Sequence, residues 1–142
     1  MLRLAGFARG VDALRFGLML AAGVLAASPA FATTGYRCEP TAGAGPNLHL
    51  VVGHAVAPQI VAARIYDRGL LTTQPDGANP ASLVIVQSWI DDQRLWVDVA
   101  DGPAMRWAGR LRAAWQSHGR GREASGTFVR GGRTYRIRCT EA

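Results

Sequence analysis

Ala124-Ser125-Gly126-Thr127-Phe128-Val129-Arg130-Gly131-Gly132-Arg133-Thr134-Tyr135-Arg136-Ile137-Arg138-Cys139 is the stretch of the sequence that decides the fold. Gly131-Gly132 is a two-residue turn of the kind that β-hairpins favour, because glycine tolerates a positive φ angle at both positions. Counting outward from this turn gives an apolar inner face that consists of the pairs Phe128–Tyr135, Gly126–Ile137 and Ala124–Cys139. The outer face then pairs Thr127 with Arg136 and Ser125 with Arg138, so the predicted hairpin is apolar inside and polar outside.

Upstream of this hairpin the patterns are short, β-like and broken by turn residues. Strand-like segments lie at 36–38, 48–52, 59–66, 83–90 and 93–100, and loops lie at 41–47 and 74–80. A helix that starts at Pro58 and is capped by Gly69 is the alternative for the third segment. The predicted fold class is all-β, a small antiparallel β-barrel or sandwich of about seven or eight strands.

Alternation of apolar and polar residues assigns an inward face to these segments. In the third segment, Val61, Ala63 and Ile65 are predicted to share one face. In the next hairpin, a loop at Asp91-Asp92 gives a core face made of Val84, Val86, Ser88, Leu95, Val97 and Val99. The opposite face of that hairpin carries Trp89 and Trp96 among polar residues.

The segment 105–115 is open to two interpretations. Alternation favours a strand with Met105, Trp107, Leu111, Ala113 and Trp115 inward and with Arg106, Ala108, Arg110 and Arg112 outward. The i, i+4 spacing of Trp107, Leu111 and Trp115 also permits a helix. We favour the strand.

Residues 1–32 are predicted to be a secretory signal peptide. Arg3, Arg9 and Arg15 precede an apolar core at 16–27. Ala30-Phe31-Ala32 then offers a small-x-small cleavage pattern. That core is shorter than the roughly 20 residues that a membrane-spanning helix needs. A retained anchor or a buried helix is the alternative. Cleavage after Ala32 predicts an exported domain, 33–142, that is periplasmic or secreted and has no stable membrane insertion.

The sequence has two cysteines, Cys38 and Cys139. In an exported protein such a pair is expected to form a disulfide, here between the two ends of the domain. A redox or metal-binding pair would require Cys-x-x-Cys spacing or clustered His and acidic residues, and the sequence has neither.

All 16 basic residues are arginine, and their distribution is uneven. Residues 33–104 hold four arginines against seven acids, whereas residues 105–142 hold nine arginines against two acids. This asymmetry predicts a basic face that binds an anionic envelope polymer or protein. The candidate residues are Arg106, Arg110, Arg112, Arg136 and Arg138. A solvated face enriched by coding bias is the alternative, and an exported domain is not expected to bind nucleic acid.

No motif for catalysis is visible. His49, His54 and His118 lack the spacing of a zinc site, and Asp91-Asp92 is more typical of a turn than of a catalytic carboxylate pair. Neither a nucleophile elbow nor a phosphate-binding glycine-rich loop is present. The sequence therefore predicts no catalytic or metal-binding residue, no cofactor and no enzymatic activity. It leaves the oligomeric state open.

The order of a signal peptide, Tyr36-Arg37-Cys38, Ala124-Ser125-Gly126 and a closing Cys139 resembles small periplasmic lysozyme inhibitors of the β-barrel type. The resemblance implies an inhibitor of an envelope hydrolase, which is the alternative function. Lysozyme is cationic, so a basic face is a poor match for that partner.

Overall fold

The computed structural model describes residues 32–118 and 121–142, which form nine strands in one antiparallel sheet. The strands are β1 (Ala32–Pro40), β2 (Asn47–His54), β3 (Pro58–Tyr66), β4 (Leu70–Thr72), β5 (Leu83–Ile90), β6 (Arg94–Asp101), β7 (Trp107–His118), β8 (Gly121–Arg130) and β9 (Arg133–Glu141). The all-β prediction is confirmed, with nine strands where seven or eight were expected. The predicted leader lies outside the described residues, apart from Ala32.

The strands follow the order β4-β3-β2-β1-β9-β8-β7-β6-β5, and the sheet curls into a nearly closed barrel. β1 to β4 form one meander, β5 to β9 form another, and the ladder between β1 and β9 joins them. On the far side, the backbone N–H of Ser82, just before β5, donates a 2.8 Å hydrogen bond to the carbonyl of Thr72 in β4. This hydrogen bond brings the two ends of the sheet, β4 and the start of β5, together.

The predicted register of the last hairpin is confirmed. β8 and β9 pair Phe128 with Tyr135 and Ala124 with Cys139, and the turn glycines have φ angles of 55° and 74°. Phe128 is fully buried at the centre of the core. It is surrounded by apolar residues from both meanders, among them Leu48, Leu50, Ile65, Leu95, Val97, Leu111 and Ile137. Each such side chain contributes roughly 1.5–3 kcal/mol when removed from water.

Two glycines allow close packing around this core. A Cβ added at Gly109 would lie 2.6 Å from Cζ of Phe128, so the aromatic ring occupies the space that a side chain would need. A Cβ added at Gly126 would collide with the backbone of Arg112 and Ala113 in the neighbouring strand. Both glycines are therefore required by the tight approach of β7 and β8 to their neighbours.

Strand β7 covers all of the segment 105–115 except its first two residues, and the helix alternatives there and at Pro58 are wrong. In β3, β5 and β7 the prediction of which side chains face inward is wrong in part, and the cause in each strand is a β-bulge. In β3 the pairing passes from Ala62 directly to Ile60, so Ile60 is buried and Val61 is 44 % exposed. Ala63 and Ile65 lie in the core as predicted.

The second bulge lies in β5, at Val86. It reverses the alternation, so that Val84 and Val86 face outward while Ile85 packs against the core. The hairpin tip is also longer than predicted, because Ile90 pairs with Leu95 and the turn spans four residues. The predicted inward positions of Leu95, Val97 and Val99 are confirmed, and Ser88 is half-buried.

The third bulge lies in β7, at Ala108, since Val99 pairs with Gly109 and Ala100 pairs with Trp107. Leu111 and Ala113 are buried as predicted. On the other side of the bulge the prediction is wrong, because Trp107 is 61 % exposed and Met105 is 63 % exposed. The bulge thus places an indole on the surface that strict alternation would have buried.

The disulfide between Cys38 and Cys139 is confirmed. The two residues are direct cross-strand partners in the β1–β9 ladder, and both are fully buried. The bond therefore reinforces the ladder that joins the two meanders.

Removing the disulfide is expected to lower the free energy of unfolding by about 4–5 kcal/mol, because the bond closes a loop of 101 residues in the unfolded chain. Urea unfolding of the oxidised and the reduced protein measures the difference. A Cys38→Ala/Cys139→Ala variant serves as control, since reductant should not change its stability. Two thiols that react in denaturant without reductant would refute the pairing.

Ala124→Arg is expected to cost about 3–5 kcal/mol or to prevent folding, because it buries an unpaired charge. Ala124 is fully buried beside Cys139 on the inner face. The matched change Ser125→Arg adds the same side chain one residue later, on the outer face, and should cost less than about 1 kcal/mol. Thermal and urea unfolding of both variants compare these costs, and equal losses would contradict the assigned faces.

Candidate functional site

Four of the five predicted anion-binding arginines lie on the outer surface of β7 and β9. Arg112 and Arg136 belong to one row across the sheet, since both pair with Thr127 of β8. Arg138 follows in the next row towards the chain terminus, and Arg110 lies on the other side of Arg112. Arg106 is separate from them, in the turn between β6 and β7 at one end of the barrel.

Asp98 of β6 holds two of these arginines. Its carboxylate is 1 % exposed and accepts a bidentate pair of hydrogen bonds from Arg112, 2.6 Å from Nη1 to Oδ1 and 2.8 Å from Nη2 to Oδ2. Nε of Arg110 lies 3.4 Å from Oδ1 of the same carboxylate. A paired guanidinium has less charge to offer an external anion, so Arg110 and Arg112 serve first to compensate Asp98.

The remaining three candidates differ in their surroundings. Nε of Arg138 lies 3.2 Å from Oε1 of Glu123, an exposed pair that is worth little but lowers the local charge. Arg106 and Arg136 form no ion pair with any carboxylate in ranges 32–118 and 121–142. The structure therefore divides the predicted basic face into neutralised and unneutralised arginines.

Four side chains on β5, β6 and β7 form a cation–π stack, which we call the Trp–Arg ladder: Trp89, Arg94, Trp96 and Arg112. The guanidinium of Arg94 lies 5.1 Å from the ring centroid of Trp89 and 5.3 Å from that of Trp96. The guanidinium of Arg112 lies 5.3 Å from the ring centroid of Trp96. Planar arginines suit this stacking, which fixes their direction along the surface.

Asp91 anchors the end of this ladder at the β5–β6 turn. Its Oδ2 accepts hydrogen bonds from Nε1 of Trp89 at 2.8 Å and from Nε of Arg94 at 2.9 Å. Its Oδ1 accepts the backbone N–H groups of Gln93 and Arg94. The hydrogen bond from Trp89 is the largest of the effects that hold the carboxyl pKa of Asp91 well below its ordinary value. Asp91 is thus a turn residue, in agreement with the sequence interpretation.

A second feature lies at the barrel end where β7 begins and the β8–β9 hairpin turns. Three adjoining clefts of about 580, 550 and 290 Å³ share the lining residues Trp107, Ala108 and Arg130. We call them together the Trp107 cleft. The two larger ones fall within the size range of small-molecule sites, about 300–1,000 Å³.

Cationic side chains border the Trp107 cleft on both sides of the indole. Arg106 lines one part, and Arg68 and Arg133 line the other. Arg130 is fixed between them, because its Nε donates to Oδ2 of Asp67 and its Nη1 to the carbonyl of Ala108, each at 2.8 Å. Arg68, Arg106 and Arg133 form no ion pair among the described residues. Together with Arg130 they outnumber the two carboxylates that line the same clefts, Asp67 and Asp101, so the lining carries a net positive charge.

Sequence reasoning missed the centre of this cleft, because alternation placed Trp107 inside. It named Arg106 but did not connect it with Arg133, which follows the β8–β9 turn, or with Arg68, which comes from the other meander. A signal was available in Gly109, which interrupts the series of large apolar residues at alternate positions just after Trp107. Asp98 was also missed, although it is the one acid on a strand opposite two outward arginines.

His49 and His54 lie on β2, apart from the Trp–Arg ladder and the Trp107 cleft. His49 stacks on Tyr66 at a centroid distance of 4.9 Å, and partial burial lowers the pKa of His49. Nε2 of His54 lies 3.1 Å from the hydroxyl of Thr34. Among the described residues, no three His, Cys, Asp or Glu side chains come together as metal ligands. In the same residues, no helix is long and apolar enough to cross a membrane.

Comparisons of the chain with protein-family models, curated proteins and solved structures give no match. The case for a function therefore rests on the geometry of the barrel and its surface.

The Asp91 carboxyl is expected to titrate below its ordinary pKa of 3.8, because four hydrogen bonds favour its ionised form. Since the folded-state pKa is depressed, the contribution to stability is present above pH 3.8 and is lost as the pH falls through the lower, folded-state value. An NMR pH titration of the side-chain carboxyl carbon measures this pKa. Trp89→Phe should raise it by removing a donor, whereas Trp96→Phe should leave it unchanged, and equal effects would contradict the assigned cause.

Proposed function

We propose that this chain is a non-catalytic binding protein, exported to the periplasm or secreted, that holds an anionic envelope component or protein on its arginine-rich C-terminal surface. The observation that carries the proposal is the set of arginines without carboxylate partners among the described residues: Arg37, Arg68, Arg106, Arg133 and Arg136, the last two of which lie on β9. Unneutralised guanidinium groups on a rigid sheet suit recognition of carboxylates or phosphates.

The division of the arginines refines which part of the surface binds. Arg110 and Arg112 stay close to Asp98, and an anion that approached them would compete with a buried carboxylate. Arg133 and Arg136 lie on β9 with exposed side chains and face no such competition. We therefore assign the main attraction for the partner to β9 and to the barrel end, with Arg110, Arg112 and Arg138 in a smaller role.

The rigid scaffold supports a binding role over a catalytic one. His49 packs on Tyr66, His54 lies beside the hydroxyl of Thr34, and the carboxylate of Asp98 is occupied by two arginines. Asp91 is held as an anion at a hairpin tip, where it cannot serve as a proton donor near neutral pH. The described residues thus offer a fixed charged surface and no assembled acid–base pair.

Arg133→Gln/Arg136→Gln is expected to elute from an anionic matrix at clearly lower salt than the unchanged protein, because two unpaired cations are lost. Arg122→Gln/Arg138→Gln is the matched control: it removes the same charge, but from arginines that lie 3.6 Å from Asp92 and 3.2 Å from Glu123. The control should shift elution less. Both proteins are compared by salt-gradient chromatography on purified anionic envelope material.

Equal shifts for the two variants would mean that net charge alone controls retention and would overturn the assigned surface. Retention that is insensitive to salt would overturn the proposal itself. Inhibition of lysozyme in a turbidity assay would instead support the alternative function, an inhibitor of an envelope hydrolase.

A further inference from the structure

We infer that the Trp107 cleft is a binding site for an acidic polysaccharide, with one sugar ring packed on the indole of Trp107 and carboxylates of neighbouring sugars bound by Arg106 and Arg133. This inference rests on the proposed function and names its ligand class. It goes further, because it depends on an aromatic side chain as well as on charge.

The exposure of Trp107 is imposed by the backbone. The β7 bulge at Ala108 turns the indole outward, and the preceding Met105 has a positive φ of 51°. A non-glycine residue in this region is uncommon, and the conformation persists only where the surroundings hold it. Here Met105 donates its N–H to the carbonyl of Asp101 at 2.7 Å, which closes the turn that leads into β7.

The indole is exposed but oriented. The guanidinium of Arg110 stacks on it with 5.0 Å to the ring centroid, and Arg110 is itself held by Asp98. This guanidinium lies over the ring, yet Trp107 is still 61 % exposed and lines all three clefts. An exposed indole whose orientation is fixed in this way is typical of a contact site.

Polar groups flank this apolar surface on both sides. Arg106 lines the cleft of about 580 Å³, and Arg133 lines the adjoining cleft of about 550 Å³, with Trp107 common to both. Arg130 lies between them with two of its donors already used, so it shapes the floor of the site. The order of the lining groups is therefore cation, aromatic ring, cation, with one carboxylate in each cleft: Asp101 in the cleft of Arg106, and Asp67, which is hydrogen-bonded to Arg130, in the cleft of Arg133.

An acidic polysaccharide matches this order. The C–H face of a pyranose is apolar and packs on an aromatic ring, while the carboxylates at its rim pair with guanidinium groups. An acidic polypeptide would use the cations but has no regularly placed group for the indole. The predicted exported location also favours a glycan over a single-stranded nucleic acid, which is the other polymer that combines stacking with negative charge.

The test uses an oligogalacturonate as the probe, with isothermal titration and tryptophan fluorescence as readouts. Trp107→Ala is expected to weaken binding of the oligogalacturonate by at least about tenfold, in the range of one lost aromatic contact. The same variant should retain its salt-dependent binding to polyglutamate, which needs only charge. Trp89→Ala is the matched control, because it removes a 52 % exposed tryptophan from the same outer surface and should leave both affinities unchanged.

A second variant tests the charges. Arg106→Gln/Arg133→Gln should weaken binding of the oligogalacturonate and of polyglutamate, and the neutral methyl ester of the oligogalacturonate should bind poorly even to the unchanged protein. Loss of polyglutamate binding alongside oligogalacturonate binding in Trp107→Ala, or no loss of either, would overturn the polysaccharide site and leave the proposed function intact. Tighter binding of an oligodeoxynucleotide with the same dependence on Trp107 would also overturn it. Failure of the unchanged protein to bind any polyanion would overturn the proposed function.

Discussion

The pairing of the first strand with the last is the interaction on which the rest of this structure depends. Within the described residues, β1–β9 is the ladder that joins the meander β1–β4 to the meander β5–β9, and its central pair is Cys38–Cys139. Such a long-range pairing costs chain entropy, and the disulfide offsets part of that cost by limiting the unfolded ensemble. Once β1 and β9 are side by side, every other strand is added next to its neighbour in sequence. The core then forms from the inner faces of both meanders.

The sequence predicts this architecture well where local rules apply without interruption. The β8–β9 register follows from Gly131-Gly132 and alternation alone, and it agrees with the structure pair by pair. The predicted faces are wrong at Val61, at Val84 and Val86, and at Trp107 because a bulge adds one residue to a strand and inverts the alternation beyond it. Bulges accommodate the curvature of the nearly closed sheet, and this curvature cannot be inferred from the sequence of a single strand.

The site was predictable only in part, for a related reason. Alternation identifies that Arg110, Arg112, Arg136 and Arg138 point outward, but it cannot identify their partners, which come from neighbouring strands in register. Asp98 neutralises the first two because β6 brings it beside them. Arg106, Arg133 and Arg68 line adjoining clefts around Trp107 because the β6–β7, β8–β9 and β3–β4 turns lie at one end of the barrel. Charge counting therefore predicts the sign of the surface, whereas the tertiary fold decides which charges remain available.

The arrangement of two meanders joined at their ends has a consequence for the response of the chain to proteolysis. The connection between the meanders is the segment 73–82, whose exposed residues 77–81 include Gly77 and Pro80 and resemble sites of proteolytic nicking. A cut there would separate β1–β4 from β5–β9 along the backbone, yet the buried Cys38–Cys139 bond would keep both fragments in one covalent molecule. Because such a cut would fall outside every strand, the nicked protein is expected to keep its strand pairings, and a single cleavage in this exposed loop would leave the proposed binding surface assembled.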